Sequence, residues 1–308
     1  MAHSEEGKLQ QQSLYISDQG HQLHLRHIYT PHKMSQKQPG PPVLMVHGAI
    51  ENGLIFYTKK GKGLACYLAE QGFDVYVIDL RGRGETIPLM KPFDSYGQTE
   101  TIVNDLPLFM DFVHQRNPQP VHLMAHSWGG VLVTSMLARF PQYLSKVRSK
   151  VFFGTKRKVT ALNFEALYKI RLMWQLVAPY VAKRQGFLPA KQIGFGSDDE
   201  TTKSHYQSML WTKAKPWTDS DDGFDYQQAC QGLNWPPSWF IAAANDKALG
   251  HPKDVKLFMN EANHSDSKYT LLSKATGFKQ DYDHINMLTD AIATGDHFPQ
   301  IVQWLLAN

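Results

Sequence analysis

The sequence predicts an α/β fold in which a mostly parallel sheet lies between two layers of helices. Short apolar runs, typical of strands covered on both faces, alternate along the chain with helical stretches. This alternation is interrupted between Lys156 and Trp235, where most of the patterns are helical. We therefore predict a core domain over residues 1–155 and 236–308, and a helical cap inserted over residues 156–235.

Before the cap, each element has its own sequence signal. Apolar and polar residues alternate on both sides of Asp18-Gln19-Gly20, which predicts an opening hairpin, and Pro31–Pro42 predicts a surface loop. Apolar runs predict buried strands, and apolar residues at helical spacing predict helices. The strands are Val43–Val46, Val75–Ile78, Val121–Ala125 and Val151–Phe153, and the helices are Gly63–Gly72, Glu100–Arg116 and Val131–Phe140.

The alternation of strand and helix resumes after the cap. Strands are predicted at Ser238–Ala244 and Tyr269–Leu272, and helices at Pro252–Glu261 and Phe298–Leu306. One irregularity is expected earlier, because Pro107 lies inside a predicted helix. It should either bend that helix or mark its true start.

The stretch Val121–Gly130 carries the strongest signal for a functional site. Its apolar strand ends at Ala125 and passes through a short polar and glycine segment into a helical pattern. Ala125 and Gly129, two residues before and two residues after Ser127, are both small. They permit a tight turn that exposes the serine at the carboxyl edge of the sheet. The backbone N–H of Trp128 and the helix N-terminus would lie close by and stabilise negative charge. This is the position of a nucleophile.

Acyl transfer by a serine also needs a base and an acid that orients the base, in the chain order Ser, acid, His. Asp246 directly follows an apolar strand, so it is expected at the same sheet edge as Ser127, and His284 lies in the loop after the next strand. Asp246 could instead cap a helix or turn, and His284 could be an ordinary loop histidine. His264 and His297 have the wrong place in the topology for the base. His126 cannot easily bend back to the neighbouring serine and is expected to be structural, while His47 is expected to order the loop that carries the oxyanion donor.

The composition excludes several classes of function. A net charge of +4 without a long basic run argues against nucleic acid as a partner. Cys66 and Cys230 are too few for a disulfide framework and too far apart for a metal knuckle, so we predict buried thiols. No apolar signal segment opens the chain, and no stretch reaches the roughly 18 apolar residues of a membrane span. The default expectation is a cytoplasmic protein without cofactor or metal.

Taken together, these features resemble the α/β-hydrolase superfamily. The matching pieces are Val43–Ala49 with its HGA loop, DLRGRG at Asp79–Gly84, AHSWGG at Ala125–Gly130, the ND loop at Asp246 and DHINML at Asp283–Leu288. The resemblance implies a three-layer α/β-hydrolase fold with Ser127 as nucleophile, Asp246 as acid and His284 as base. It also implies an oxyanion hole formed by the backbone N–H groups of Ala49 and Trp128. The turn from Ala125 to Gly129 corresponds to the nucleophile elbow of this superfamily. A serine at the elbow argues against the dehalogenase and epoxide-hydrolase branches, which use a carboxylate there.

The predicted function is that of a serine hydrolase cleaving carboxylic esters through an acyl-enzyme, as lipases, esterases and lysophospholipases do. The apolar side chains of the cap favour an apolar acyl group. The candidates for substrate binding are Leu172, Trp174, Leu176, Met209 and Trp211. We expect both ends of the cap to join the sheet at the edge that holds Ser127, so that the cap lies over the serine.

Several alternatives are left open by the sequence. An amidase or aminopeptidase uses the same triad, and Glu51 is the acidic candidate for holding a substrate ammonium. A ligand receptor or scaffold can share the fold, although such proteins typically lose a triad member. Lys156-Arg157-Lys158 and Lys183-Arg184 either solvate helix ends or permit peripheral membrane contact. Asp219–Gly223 resembles a calcium loop without its closing glutamate and is expected to be a solvated acidic turn. The oligomeric state is not predicted.

Overall fold

A central eight-stranded sheet organises the described part of the chain, which comprises residues 8–31, 39–213, 216–264 and 266–308 of a computed structural model. The strands are β1 (Gln10–Asp18), β2 (His21–Tyr29), β3 (Pro42–Val46), β4 (Asp74–Ile78), β5 (Val121–His126), β6 (Val147–Phe153), β7 (Phe187–Leu188), β8 (Glu200–Thr201), β9 (Ser238–Ala243) and β10 (Lys268–Leu272). The sheet has the order β1-β2-β4-β3-β5-β6-β9-β10, while β7 and β8 form a separate small ribbon. The pairs β1–β2 and β2–β4 are antiparallel, and the remaining neighbours in the sheet are parallel.

Helices connect these strands in the predicted order. They are α1 (Leu64–Glu70), α2 (Gln98–Glu100, Thr101–Asp105 and Leu106–Arg116), α3 (Trp128–Arg139), α4 (Phe164–Ala166, Leu167–Val177 and Ala178–Gln185), α5 (Thr202–Thr212), α6 (Tyr226–Gln231), α7 (Pro252–Glu261), α8 (Asn286–Thr289) and α9 (Phe298–Ala307). Short 3-10 helices occur at Gly53–Ile55, Pro141–Lys146, Lys274–Thr276 and Ala291–Gly295. The predicted opening hairpin is present, and its turn residues Gln19 and Gly20 both have the positive φ that a two-residue hairpin turn requires. Most of the predicted loop Pro31–Pro42 lies outside the described residues.

The middle segments of α2 and α4 are π-helical, and both have the same cause. Each π-helical segment ends just before a proline, Pro107 in α2 and Pro179 in α4. The residue before each proline donates its N–H to the carbonyl five residues earlier. A proline has no N–H to donate, and its ring clashes with the carbonyl four residues back, so the wider turn accommodates it. The expected bend at Pro107 is therefore a local change of helix type.

Alternate side chains of the strands face two separate helical layers. In β3, Leu44 packs with α2 and α3 on one face of the sheet, whereas Val43 packs with α1 and α9 on the other. The same alternation continues along the parallel strands, so both faces of the sheet are covered. This confirms the predicted three-layer arrangement. Cys66 and Cys230 are buried in opposite layers as free thiols, as predicted.

The insert between β6 and β9 leaves the sheet at one edge and returns at the other. Because these strands are parallel, Phe153 pairs with Ile241 while Lys150 pairs with Ser238 at the start of β9. The expectation that both ends of the insert join the sheet at the same edge is therefore wrong. The return is made by α6, whose Tyr226 is buried in the core beside α3. The last part of the insert thus covers the sheet, as the crossover helix of a parallel strand pair does.

Candidate active site

A strained turn at Ser127 joins β5 to α3. The φ and ψ angles of Ser127 are 52° and −122°, a conformation that costs energy in a residue with a side chain. Its N–H donates to the carbonyl of Phe153 at 2.7 Å, which fixes the turn against β6. A β-carbon at Gly129 would lie 2.5 Å from the carbonyl oxygens of Val46 and His47, so the close approach of α3 to β3 requires glycine.

His284 is oriented by a buried carboxylate. Its Nδ1 donates to Oδ2 of Asp246 at 2.5 Å, and Oδ1 of Asp246 accepts the N–H of Leu249 at 2.9 Å. Burial by itself raises the pKa of Asp246, but His284 and its hydrogen bond outweigh burial and lower that pKa to about 2. Asp246 is therefore ionised at neutral pH. Because Nδ1 carries the proton, Nε2 is the ring nitrogen that can accept one.

Ser127 and His284 line one cavity of about 380 Å³. Ala49 and Trp128 line the same cavity, and Trp128 is the first residue of α3, so its N–H has no acceptor within the helix. The volume is typical of small-molecule sites. The structure thus brings the predicted nucleophile, base and oxyanion donors to one place, with Asp246 behind the base. Their roles in a reaction stay predictions.

The loop before Ala49 is held by a neutral histidine. Nδ1 of His47 donates to the carbonyl of Gly48 at 2.9 Å, and Nε2 accepts the N–H of Leu80 at 3.1 Å. Burial lowers the pKa of His47, and Arg83 acts in the same direction. Arg83 also donates to the carbonyl of Gly48 at 3.2 Å. Residues around the DLRGRG segment therefore support the loop that carries a predicted oxyanion donor.

His126, beside the serine, links the elbow to the segment of His284. Its Nδ1 donates to Oε2 of Glu51 at 2.8 Å, and its Nε2 donates to the carbonyl of His284 at 2.9 Å. Since both partners are acceptors, both ring nitrogens carry protons and the ring is a cation. Burial opposes this charge, yet Glu51 raises the pKa of His126. Burial likewise opposes ionisation of Glu51, but His126 lowers its pKa to about 2.

Comparison with known families shows which family the chain belongs to. The sequence profile of the family described as "alpha/beta hydrolase fold" matches residues 41–289. The chain belongs to this family. This α/β-hydrolase is 31% identical to triacylglycerol lipase 2 of Arabidopsis thaliana over 98 residues, which are 30% of the chain and 23% of that protein. It is 28% identical to a probable lysophospholipase L2 of Haemophilus influenzae over 134 residues, which are 43% of the chain and 40% of that protein. Both matches span less than half of the relative's length.

Solved structures share the fold of this α/β-hydrolase at lower identity. A soluble variant of monoglyceride lipase from Saccharomyces cerevisiae, in complex with a substrate analogue, is 18% identical with a TM-score of 0.62. The match covers 99% of the chain and 96% of that structure. This likeness confirms the fold.

The insert of this α/β-hydrolase supplies part of the cavity wall. The side chains that it contributes are not all of the five predicted for substrate binding. Of the five candidates, Trp174 lines the cavity. Leu172 and Leu176 are 43% and 66% exposed to solvent, and Met209 and Trp211 pack inside the protein. The sequence predicts that some of the five face the cleft; these four do not line this cavity, and their role in substrate binding stays a prediction. Apolar residues at helical spacing reveal a helix with a buried side, but they do not say which neighbour buries it.

The basic run at the start of the insert is not a surface patch. Lys156 lines the same cavity as Ser127. Arg157 is fully buried, and both Arg157 and Lys158 form ion pairs with Glu261. The expectation that this run solvates a helix end or contacts an anionic surface is therefore wrong for Lys156 and Arg157. Sequence spacing gave no signal for the side chain that enters the cavity.

The acidic turn at Asp219–Gly223 is also more ordered than predicted. Asp219 is buried and accepts hydrogen bonds from Thr99 and Tyr226, while Asp221 and Asp222 pair with surrounding cations. Its carboxylates thus hold neighbouring segments together. Within residues 8–31, 39–213, 216–264 and 266–308, no group of three or more His, Cys, Asp or Glu side chains is arranged to hold a metal ion. In the same ranges, no helix has the length and apolarity needed to cross a membrane.

Proposed function

We propose that this α/β-hydrolase is a serine hydrolase that cleaves carboxylic esters, with Ser127 as nucleophile, His284 as base and Asp246 as orienting acid. One observation carries the proposal. The strained elbow presents Ser127 to a cavity that also contains His284, and the other nitrogen of that histidine is bound to an ionised carboxylate. A serine hydroxyl is a weak nucleophile unless a base takes its proton, and this arrangement provides that base.

The reaction would proceed in two stages. Nε2 of His284 takes the proton of Ser127 Oγ as that oxygen bonds to the carbonyl carbon, and the N–H groups of Ala49 and Trp128 stabilise the oxyanion. The bond to the alcohol oxygen then breaks, and His284 returns the proton to the departing alcohol. A water molecule, deprotonated by the same histidine, then attacks the acyl carbon. The bond to Ser127 Oγ breaks, His284 returns the proton to that oxygen, and the acid is released.

An apolar acyl group is the substrate feature that the cavity supports best. The insert contributes Ile170, Trp174 and Phe195 to the wall, and Ala49 and Leu249 add apolar surface from the core. The names of the sequence relatives, a triacylglycerol lipase and a probable lysophospholipase, support a lipid-like ester. We propose that residues 156–213 act as the cap over Ser127. The part of the insert that contains α6 belongs to the layers around the sheet.

Peripheral contact with a lipid surface accompanies this proposal. Large apolar side chains of α4 are strongly exposed, with Phe164 at 84% and both Leu176 and Tyr180 at 66%. Exposed apolar side chains beside basic ones are typical of surfaces that contact membranes, and Lys183 and Arg184 follow at the end of α4. Such a surface would lie on the segment that covers the proposed active site. The cytoplasmic location stays a prediction.

Labelling with a fluorophosphonate probe, combined with turnover of 4-nitrophenyl esters, tests the proposal. The wild-type protein should form one covalent adduct on Ser127, and Ser127→Ala should form none and lose turnover by at least about a thousandfold. Ser208 lines the same cavity, so Ser208→Ala is a matched control that should still be labelled on Ser127. Adduct formation on Ser127→Ala would contradict the assignment.

The two alternatives from the sequence find less support. Oε2 of Glu51 accepts hydrogen bonds from His126 and from the N–H of Gly48, so the carboxylate named for a substrate ammonium already has partners. A receptor or scaffold without activity would bind ester-like ligands but neither react with the probe nor release 4-nitrophenol. The labelling experiment therefore separates a catalyst from a binding protein.

A further inference from the structure

Lys156 enters the proposed active site from the strand next to the elbow. It follows the end of β6 by three residues, and the last residue of β6, Phe153, accepts the N–H of Ser127. Lys156 lines the cavity together with Ser127, and its Nζ lies 5.8 Å from the centre of the Trp128 ring. Lys156 therefore shares the cavity with the proposed nucleophile.

This ammonium has no direct partner in the described part of the protein. Lys156 is 6% exposed, yet among the described residues its Nζ takes part in no hydrogen bond and no ion pair. The adjacent Arg157 and Lys158 differ, because both pair with Glu261. The side chain of Lys156 is buried along its length, and the cavity that it lines is the place where a partner for its Nζ can bind.

Three carboxylates act on Lys156 without contacting it, and each of them accepts a hydrogen bond from another group. Asp246 accepts from His284, Glu51 accepts from His126, and Asp254 accepts from Thr160. Burial lowers the pKa of Lys156, while these three carboxylates act on it in the opposite direction from a distance. Asp246 and Asp254 are almost completely buried, at 3% and 0% exposure. The three N–H donors of the ammonium therefore remain available to a molecule in the cavity.

We propose that Lys156 binds an anionic group of the substrate, a carboxylate or a phosphate, and so selects esters that carry a negative charge near the scissile bond. The inference rests on the proposed ester hydrolysis and adds the class of substrate. An ammonium binds carboxylate and phosphate oxygens with charge-assisted hydrogen bonds, which are stronger than those to neutral acceptors. The apolar wall around it, including Trp174 and Ile170, offers a neutral ester no comparable interaction.

Two pairs of substrates that differ in one charged group test this proposal and distinguish its two sources. On the acyl side, mono-4-nitrophenyl glutarate is compared with 4-nitrophenyl pentanoate. On the alcohol side, 1-oleoylglycerol 3-phosphate is compared with 1-oleoylglycerol. The quantity measured is the ratio of kcat/KM for the anionic ester to that for the neutral ester, in the wild type, Lys156→Met, Lys156→Arg and Lys158→Met.

In one of the two pairs, the wild-type ratio should exceed the Lys156→Met ratio by about tenfold or more, and Lys156→Arg should recover much of it. Lys158→Met is the matched control and should keep the wild-type ratio. The pair that responds identifies the side that carries the anion. The proposal is overturned if the Lys156→Met ratio equals the wild-type ratio in both pairs. It is also overturned if the wild-type protein alone has a ratio below one in both pairs, because it would then prefer the neutral esters. If neutral esters are turned over under those outcomes, the proposed hydrolysis still stands, whereas absence of all turnover and labelling refutes both.

Discussion

The carboxyl edge of the sheet and the first part of the insert are specified in different ways. At the sheet edge, close backbone packing limits which residue fits, because Gly129 has no room for a side chain against the carbonyls of Val46 and His47. In the insert, α4 buries Trp174 and exposes Leu176, although both are apolar. The sheet edge therefore restricts residue identity at Gly129, whereas α4 accommodates apolar side chains in both buried and exposed positions. Substitutions at the edge should affect the reaction itself, and substitutions in the insert should affect which ester is preferred.

The largest effect is expected from Asp246→Asn. The amide can still accept the N–H of Leu249, so the fold should persist, but it no longer provides the negative charge that stabilises protonated His284. We expect kcat to fall by about 10⁴-fold. Steady-state turnover of 4-nitrophenyl butyrate checks this, with circular dichroism to verify folding and Asp281→Asn as a matched control. Near-normal turnover by folded Asp246→Asn would show that the orienting acid is another residue. It would also contradict the expectation that substitutions at the sheet edge affect the reaction itself.

An intermediate effect, on stability, is expected from Glu51→Gln. The folded-state pKa of Glu51 is about 2 against an ordinary value of 4.5, so its stabilisation is present above about pH 4.5 and is lost as pH falls toward 2. The pKa of His126 is raised, so its contribution is present below about pH 6.5 and is lost as pH rises through the folded value. The free energy of unfolding should therefore differ most between wild type and variant at about pH 4.5 to 6.5, by up to about 3 kcal/mol.

Urea unfolding at a series of pH values measures that difference. The control is Glu165→Gln, which removes an exposed ion pair with Lys169 and should change stability by less than about 1 kcal/mol. A gap between wild type and Glu51→Gln that does not narrow below pH 4 would mean that the carboxylate is not held by a charged His126. The link that His126 makes between the turn at Ser127 and the segment of His284 would then not depend on its positive charge.

The smallest effect is expected in the insert. If Trp174 forms part of the acyl pocket, kcat/KM of the wild type should rise with acyl length by up to about fourfold per methylene until the pocket is full. Trp174→Ala should flatten this rise and leave acetate little affected, while Leu176→Ala, whose side chain is exposed, should retain it. The measurement is kcat/KM for 4-nitrophenyl esters from acetate to decanoate. Equal losses by Trp174→Ala on short and long esters would assign the tryptophan to packing alone.

The same contrast explains what the sequence could predict. Ser127, Asp246 and His284 each follow an apolar strand, and the carboxyl ends of parallel strands meet at one sheet edge. Their proximity could therefore be inferred from local patterns and the order of the elements. The layers around the sheet were predictable for the same reason, since alternation between strand and helix is a property of short segments. Even the irregularity in α2 had a visible signal in Pro107.

What could not be predicted depends on contacts between distant segments. Glu51 and His126 are 75 residues apart, and no spacing rule joins them. The side chains of Arg157 and Lys158 pair with Glu261 on α7, whereas that of Lys156 lines the cavity. By contrast, the return of the insert to the opposite sheet edge follows from the parallel pairing of β6 and β9, and the parallel sheet predicted from the sequence already implies it.

The two hydrogen bonds of His126 have a consequence for how this protein can change during evolution. Loss of the Glu51 carboxylate alone would leave a buried imidazolium without its counter-ion. Loss of the imidazole alone would leave a partly buried carboxylate without its counter-ion and the carbonyl of His284 without its donor. Either single replacement passes through a less stable intermediate. Positions 51 and 126 should therefore covary among related sequences, so that a homologue with an uncharged residue at one position also lacks the charged residue at the other.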